Sequence, residues 1–145
     1  MDKLYHYSKS PVILDRTMQY EQCKSEYKPC GFWLSVGESW KDWCYEEEFN
    51  LDTFSSKLVC RVVDALVLSS VLQIREFHAN FMSIEQDYPN LRERMIDWRK
   101  VAQDYSGIVI APYQWDLRLD LEVGWYCTWD CASGCMWDLN CIEIL

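Results

Sequence analysis

Apolar and polar positions alternate from the head of the chain. Leu4, His6 and Ser8 fall on one side of an extended segment and Tyr5 and Tyr7 on the other, a period of two that predicts a short strand over 3–8. Ser10-Pro11 ends it, because proline has no N–H to give a ladder. Residues 12–30 are mixed and mostly polar and close on Lys28-Pro29-Cys30-Gly31, so they read as a loop with at most one helical turn. A second strand is predicted over Gly31-Phe32-Trp33-Leu34-Ser35-Val36, with Gly37 closing it. Ser39 then stands where a helix cap belongs, with Asp42 three residues on, and Trp40, Trp43, Cys44 and Glu47 share one face of the helix that follows.

Further along, residues 57–64 and 66–68 are β-rich and predict one strand or a broken pair. Ser69-Ser70 caps a helix that turns Val71, Ile74, Phe77, His78 and Phe81 to one side. Pro89-Asn90 opens a third helix, with Leu91, Met95, Trp98, Val101, Ala102 and Tyr105 inward. Arg92-Glu93-Arg94 and Arg99-Lys100 read as its solvated face, and Gly107 as its left-handed stop. The continuous apolar run from Gly107 to Ala111, bounded by Pro112, predicts a central buried strand. Two more strands are predicted at 125–129 and 136–144. About six short strands and three helices that do not strictly alternate give an α+β fold with a twisted sheet core. With no repeat and no linker, residues 1–145 form a single domain.

Composition sharpens this. Eight Trp, nine Tyr and five Phe in 145 residues exceed what one core needs, so some aromatic faces are expected to line a pocket for a flat ligand. The formal charge of -9 opposes direct nucleic-acid binding through phosphates and leaves attraction to a basic partner open. No basic segment followed by an apolar one opens the chain, and no apolar stretch approaches the roughly 20 residues that span a bilayer; a soluble, cytoplasmic protein without membrane partners is the expectation. The eight cysteines are accordingly expected to be free thiols. Cys127, Cys131, Cys135 and Cys141 are spaced too widely for a zinc knuckle, so no metal site is assigned. His78 lies near no Gly-rich elbow or oxyanion turn, which argues against a cysteine hydrolase. Phosphate-loop, dinucleotide and zinc-protease patterns are absent.

The candidate chemistry sits in three segments: Leu4-Tyr5-His6-Tyr7-Ser8, Gly31-Phe32-Trp33-Leu34-Ser35, and Ser39-Trp40-Lys41-Asp42-Trp43. If the two strands are neighbours, His6 and Ser35 meet over the helix bearing Trp40 and Trp43. That makes a clamp for a flat heterocycle, with aromatic walls for stacking and polar tips for a ribose or an amide. Taken singly, each residue has a plainer use: His6 as a hydrogen-bonded strand histidine, the tryptophans as core, Ser39 as a cap.

In that order the segments resemble the ADP-ribosyltransferase superfamily, the fold of diphtheria-like toxins and poly(ADP-ribose) polymerases. The resemblance implies a split sheet that binds NAD as substrate and transfers its ADP-ribosyl group, a glycosyl transfer, to an acceptor. His6 and Ser8 would hold the nicotinamide ribose. Gly31, Trp33, Ser35, Ser39 and Trp43 would complete the NAD site, with Trp33 and Trp43 sandwiching nicotinamide where the family usually has Tyr. Tyr7 replaces a frequent Gly. The catalytic Glu of the family precedes a late strand; here Glu122 precedes the 125–129 segment and Asp130 the final one, and Asp130 is preferred because Asp116, Arg118, Asp120 and Glu122 read as a solvated loop. The run from Trp129 to Cys135 is also similar to the tail of a group of short phage-type proteins. The alternative function is a binding module of the same fold without turnover, such as a phage inhibitor that engages a host protein through its acidic surface.

Overall fold

The computed structural model describes residues 3–84 and 95–145. Seven strands form one curled, mixed sheet: β1 (Leu4–Ser8), β2 (Phe32–Val36), β3 (Ser56–Val62), β4 (Leu66–Leu68), β5 (Gly107–Ile110), β6 (Ser133–Met136) and β7 (Ile142–Ile144). Their order is β4-β5-β6-β2-β1-β3-β7, antiparallel throughout except for the parallel pair β4 and β5. Among the described residues there are three α-helices, α1 (Ser39–Glu46), α2 (Val71–Phe81) and α3 (Trp98–Asp104). The α+β class holds, with one strand more than the sequence pattern predicts. No helix among the described residues is long and apolar enough to cross a membrane.

Alternation places the core on both faces of the sheet. On β5, Ile108 and Ile110 join Phe77, Trp98, Trp125 and Trp137 under α2 and α3, while Val109 joins Leu4, Leu34, Cys60, Met136 and Ile142 on the other face. α2 and α3 supply the crossover that a parallel pair requires. Ser70 caps α2 by accepting the Gln73 N–H at 3.1 Å, and Asp97 caps α3 by accepting the Lys100 N–H at 3.1 Å. Three core tryptophans settle their indole N–H groups: Trp98 on the Glu26 carbonyl, Trp137 on the Tyr105 carbonyl, and Trp125 on His78 Nδ1. His78 is thereby tied into the core.

The β-rich stretch from 57 to 68 takes the broken-pair form, two strands, because Asp64 turns the chain through a left-handed φ of 60°. The structure departs from the sequence pattern in four places. The predicted strand 125–129 is instead a 3-10 segment, Leu121–Thr128, started by Asp120 accepting the Glu122 N–H at 2.9 Å. Trp125 and Tyr126 are both buried in it. The strand expected over 136–144 stops at Met136, where Asp138 accepts the Asn140 N–H and starts a short 3-10 turn before β7. Gly107 does not end α3; the helix stops at Asp104, Tyr105 is extended, and Gly107 opens β5. A Cβ there would come within 2.2 Å of Met136 Sδ and 2.7 Å of the Cys135 carbonyl, so the glycine answers to close packing. Finally, Ser39 is the first residue of α1 and does not cap it, as described below. The helix opening expected at Pro89-Asn90, with Leu91 and Arg92-Glu93-Arg94, lies outside the described residues.

Candidate functional site

β1 and β2 run side by side, but their backbones pair only at Leu4↔Val36 and Tyr5↔Ser35. Beyond Tyr5 the two strands part. Here the His6 ring reaches across, with Nδ1 2.8 Å from the Trp33 carbonyl. A carbonyl only accepts, so Nδ1 is the donor in this bond, and the matching neutral tautomer has its acceptor lone pair on Nε2. Phe32 holds the ring flat, its centroid 4.2 Å away and its plane within 23°. A cleft of about 330 Å³ opens beside the parting and is lined by His6, Tyr5 and Tyr7 from β1, Trp33 and Ser35 from β2, Trp40 from α1, Lys28, and the run Trp129 to Cys131 with Ser133. This volume lies at the small end of ordinary ligand pockets.

Trp129 forms much of the back wall. Its ring meets Trp33 edge to face at 5.1 Å, and Tyr113 anchors its backbone by donating to its carbonyl at 2.7 Å. Its indole N–H is the one buried side-chain donor without a hydrogen-bond partner among the described residues. Lys28 brings a cation to the rim, 5.4 Å from the Trp33 ring centre.

The serines do different work from a ligand contact. Ser35 Oγ donates to the Gly37 carbonyl at 2.8 Å and accepts the Trp40 N–H at 3.0 Å, so it caps α1 from five residues away. Ser39 Oγ donates to the Ala132 carbonyl, which also accepts the Val36 N–H at 3.1 Å. Two donors from the β2–α1 corner thus fix the backbone two residues after Asp130. Asp130 is half-buried and lines the cleft at the approach to β6, the strand paired with β2 through Trp33↔Cys135 and Ser35↔Ser133.

Of the residues assigned a role in NAD binding or catalysis from the sequence, His6, Trp33, Ser35 and Asp130 come together in this one cleft. The others do not line it. Ser8 donates to the Ser10 carbonyl at 2.6 Å. Gly31 abuts β6, where a Cβ would lie 2.6 Å from both Cys135 Sγ and the Met136 carbonyl. Trp43 stacks on Trp40, centroids 5.1 Å apart and planes within 10°, leaving Trp40 to line the cleft. Glu122 pairs with Arg75 at 3.2 Å on the exposed surface, beside an Asp120 carboxyl that Arg75 holds below its ordinary range. Sequence spacing could not choose between Trp40 and Trp43, which sit on one helical face. Trp129 was missed as a wall because its segment read as a strand.

The buried thiols, of which Cys131 lines the cleft, are unsuited to nucleophilic work. Burial pushes Cys131, Cys60 and Cys141 each up to about 11, and Cys135 well above its ordinary value. All eight cysteines are free, and only Cys23, Cys30 and Cys127 are exposed. Brief iodoacetamide treatment of the native protein at neutral pH should therefore label these three, and the other five only after denaturation. Rapid native labelling of Cys131, read by mass spectrometry of its peptide, would contradict this account of the cleft. Among the described residues no group of three or more metal-ligating side chains gathers. Comparison of the chain with models of known families, with curated proteins and with solved structures finds no match.

Proposed function

We propose that the cleft binds NAD by its nicotinamide ribosyl end and supports ADP-ribosyl transfer, as in the ADP-ribosyltransferase-like split sheet the sequence resembles. The observation that carries this reading is the meeting of a cross-strand histidine, an aromatic wall and one carboxylate in a single cleft on adjacent strands. The nicotinamide ring of NAD is flat and cationic. Trp33, Trp40 and Trp129 offer faces or edges to such a ring, and Asp130 offers the opposite charge. A ribose hydroxyl would donate to His6 Nε2, whose lone pair the Nδ1 bond to Trp33 leaves available.

In the reaction the bond between ribose C1 and the nicotinamide nitrogen breaks, and its electron pair neutralises the ring. Positive charge then develops at C1, where the Asp130 carboxylate stabilises it. An acceptor nucleophile attacks C1 and releases its proton to solvent, giving nicotinamide and the ADP-ribosylated acceptor. Water as acceptor gives simple hydrolysis.

Three tryptophans in the cleft make binding visible. Titration with NAD should quench fluorescence and release heat, and both signals should weaken about ten-fold or more in His6→Ala and in Trp33→Ala. No heat and no quenching with wild type at about 1 mM NAD, an affinity worth only about 4 kcal/mol, would end the NAD reading.

A further inference from the structure

The residues after β2 form a second aromatic cluster that belongs to neither face of the main core. Trp43, stacked on Trp40, meets Phe49 edge to face at 5.8 Å; Tyr45 stacks on Phe54 at 5.8 Å, and Phe54 meets Tyr7. The cluster reaches solvent: Tyr45 is 54% exposed, Phe49 46% and Leu51 45%. Cys44 is the buried residue of α1, with Trp40 and Trp43 half-buried on the same side, while Asp42, Tyr45 and Glu46 are exposed on the outer side.

Carboxylates are interspersed with these aromatic residues along the chain. Between residues 38 and 52 stand Glu38, Asp42, Glu46, Glu47, Glu48 and Asp52, against the single cation Lys41. Glu38 is answered by Lys57 and Asp52 by Lys9. Asp42, Glu46, Glu47 and Glu48 take part in no ion pair among the described residues. Three of these lie at the C-terminal end of α1, where the helix dipole disfavours them, so they are not placed there for helix stability.

We propose that this surface, the outer side of α1 with the loop through Phe54, docks a basic, arginine-bearing segment of a partner protein. Charge decides among occupants. A second copy carries the same net -9 and the same acidic rim, and anionic lipid or nucleic acid would be repelled in the same way. Arginine fits both halves of the surface, since its guanidinium stacks on aromatic faces and forks onto carboxylates, whereas lysine offers only a point charge. Trp40 belongs both to the cleft lining and to the stack, so a segment docked here lies next to the cleft. The inference does not depend on which ligand the cleft holds.

The test uses the whole protein and fluorescent glycine–serine peptides bearing four arginines, four lysines or four glutamates, followed by anisotropy at low and physiological salt. The arginine peptide should bind, the lysine peptide several-fold more weakly, and the glutamate peptide not at all. The combined variant Glu46→Gln, Glu47→Gln, Glu48→Gln should weaken arginine-peptide binding about ten-fold or more, and Tyr45→Ala with Phe49→Ala should erase the preference for arginine over lysine. A control with the same charge change elsewhere, Glu21→Gln with Asp104→Asn and Asp116→Asn, should leave binding near wild type. Thermal melts confirm that each variant is folded. Absence of arginine-peptide binding to wild type at about 1 mM overturns the proposal. So does an equal loss in the control variant, which would make the attraction a property of net charge alone, or equal affinity for the two basic peptides.

Discussion

Asn in place of Asp130 is expected to leave the protein folded and to slow NAD cleavage by about 100-fold or more, the loss typical of a contact made to developing charge. The substitution keeps size and shape and removes the charge that would face ribose C1. The backbone around it is tied independently, by the Ser39 and Val36 donors on the Ala132 carbonyl, so the loop should hold its course. Glu122→Gln is the contrasting variant. That carboxylate lies on the exposed surface against Arg75, away from the cleft lining, and its neutralisation should change turnover less than two-fold or so, within the scatter of surface substitutions. Nicotinamide release measured on both variants, with melts alongside, separates the cases. Full activity in Asp130→Asn would move the chemistry elsewhere. An inert wild type that still binds NAD would leave a binding module of the same fold.

The largest stability loss is expected from Trp98→Ala. Trp98 is fully buried, with ring centres of Phe77, Trp125 and Trp137 between 5.8 and 6.4 Å away. Its N–H also satisfies the Glu26 carbonyl at 3.0 Å, in a stretch that has no regular structure of its own beyond an isolated bridge from Glu26 to Ile96. Truncation removes packing under α2 and α3 and one of the bonds that hold this stretch to the core, beside the backbone bonds of Glu26 with Ile96 and of Cys23 with Trp98, at a cost of about 3–5 kcal/mol. Against a total of roughly 5–15 kcal/mol, that is a large share. Urea unfolding should show a lower midpoint with an unchanged slope. Trp98→Phe, which keeps a ring and loses the N–H, should fall between. A midpoint within error of wild type for Trp98→Ala would mean that the core is not organised around this residue.

The parts of the fold legible in the sequence are those governed by local rules. β1 follows a period of two, β2 is a short run bounded by Gly31 and Gly37, β5 is a continuous apolar run between Gly107 and Pro112, and α2 has both a serine cap and a 3.6-residue period. Residues 121–144 were opaque because every rule there gives the same output. Apolar and polar residues are interspersed there without a regular period, so neither period two nor 3.6 stands out, and the buried 3-10 segment is set by Asp120 and by tertiary packing of Trp125 and Tyr126. In the cleft, the order of His6, Trp33 and Ser35 along two predicted strands was enough to bring them together on paper. What spacing does not encode is the pairing of distant segments: Trp129 and Asp130 reach the cleft only because β6 pairs with β2. The same limit hid the serines' roles, since Ser35 caps a helix that starts four residues later and Ser39 bonds a residue ninety-three positions away.

That pairing of β2 with β6 has a consequence for biosynthesis. Phe32 lies opposite Met136, so the two walls of the cleft come from segments more than a hundred residues apart in the chain. A ribosome that has finished the segment through α3 has produced His6, Trp33 and Trp40 but not Trp129 or Asp130, and a growing chain at that stage can hold no ligand in a complete pocket. Binding competence arrives late and all at once, after the closure of one long loop whose entropic cost local contacts cannot offset in advance. Ligand is therefore no aid to the early stages of folding, and any function of the cleft is withheld until the segment from Trp129 through β6 has been made.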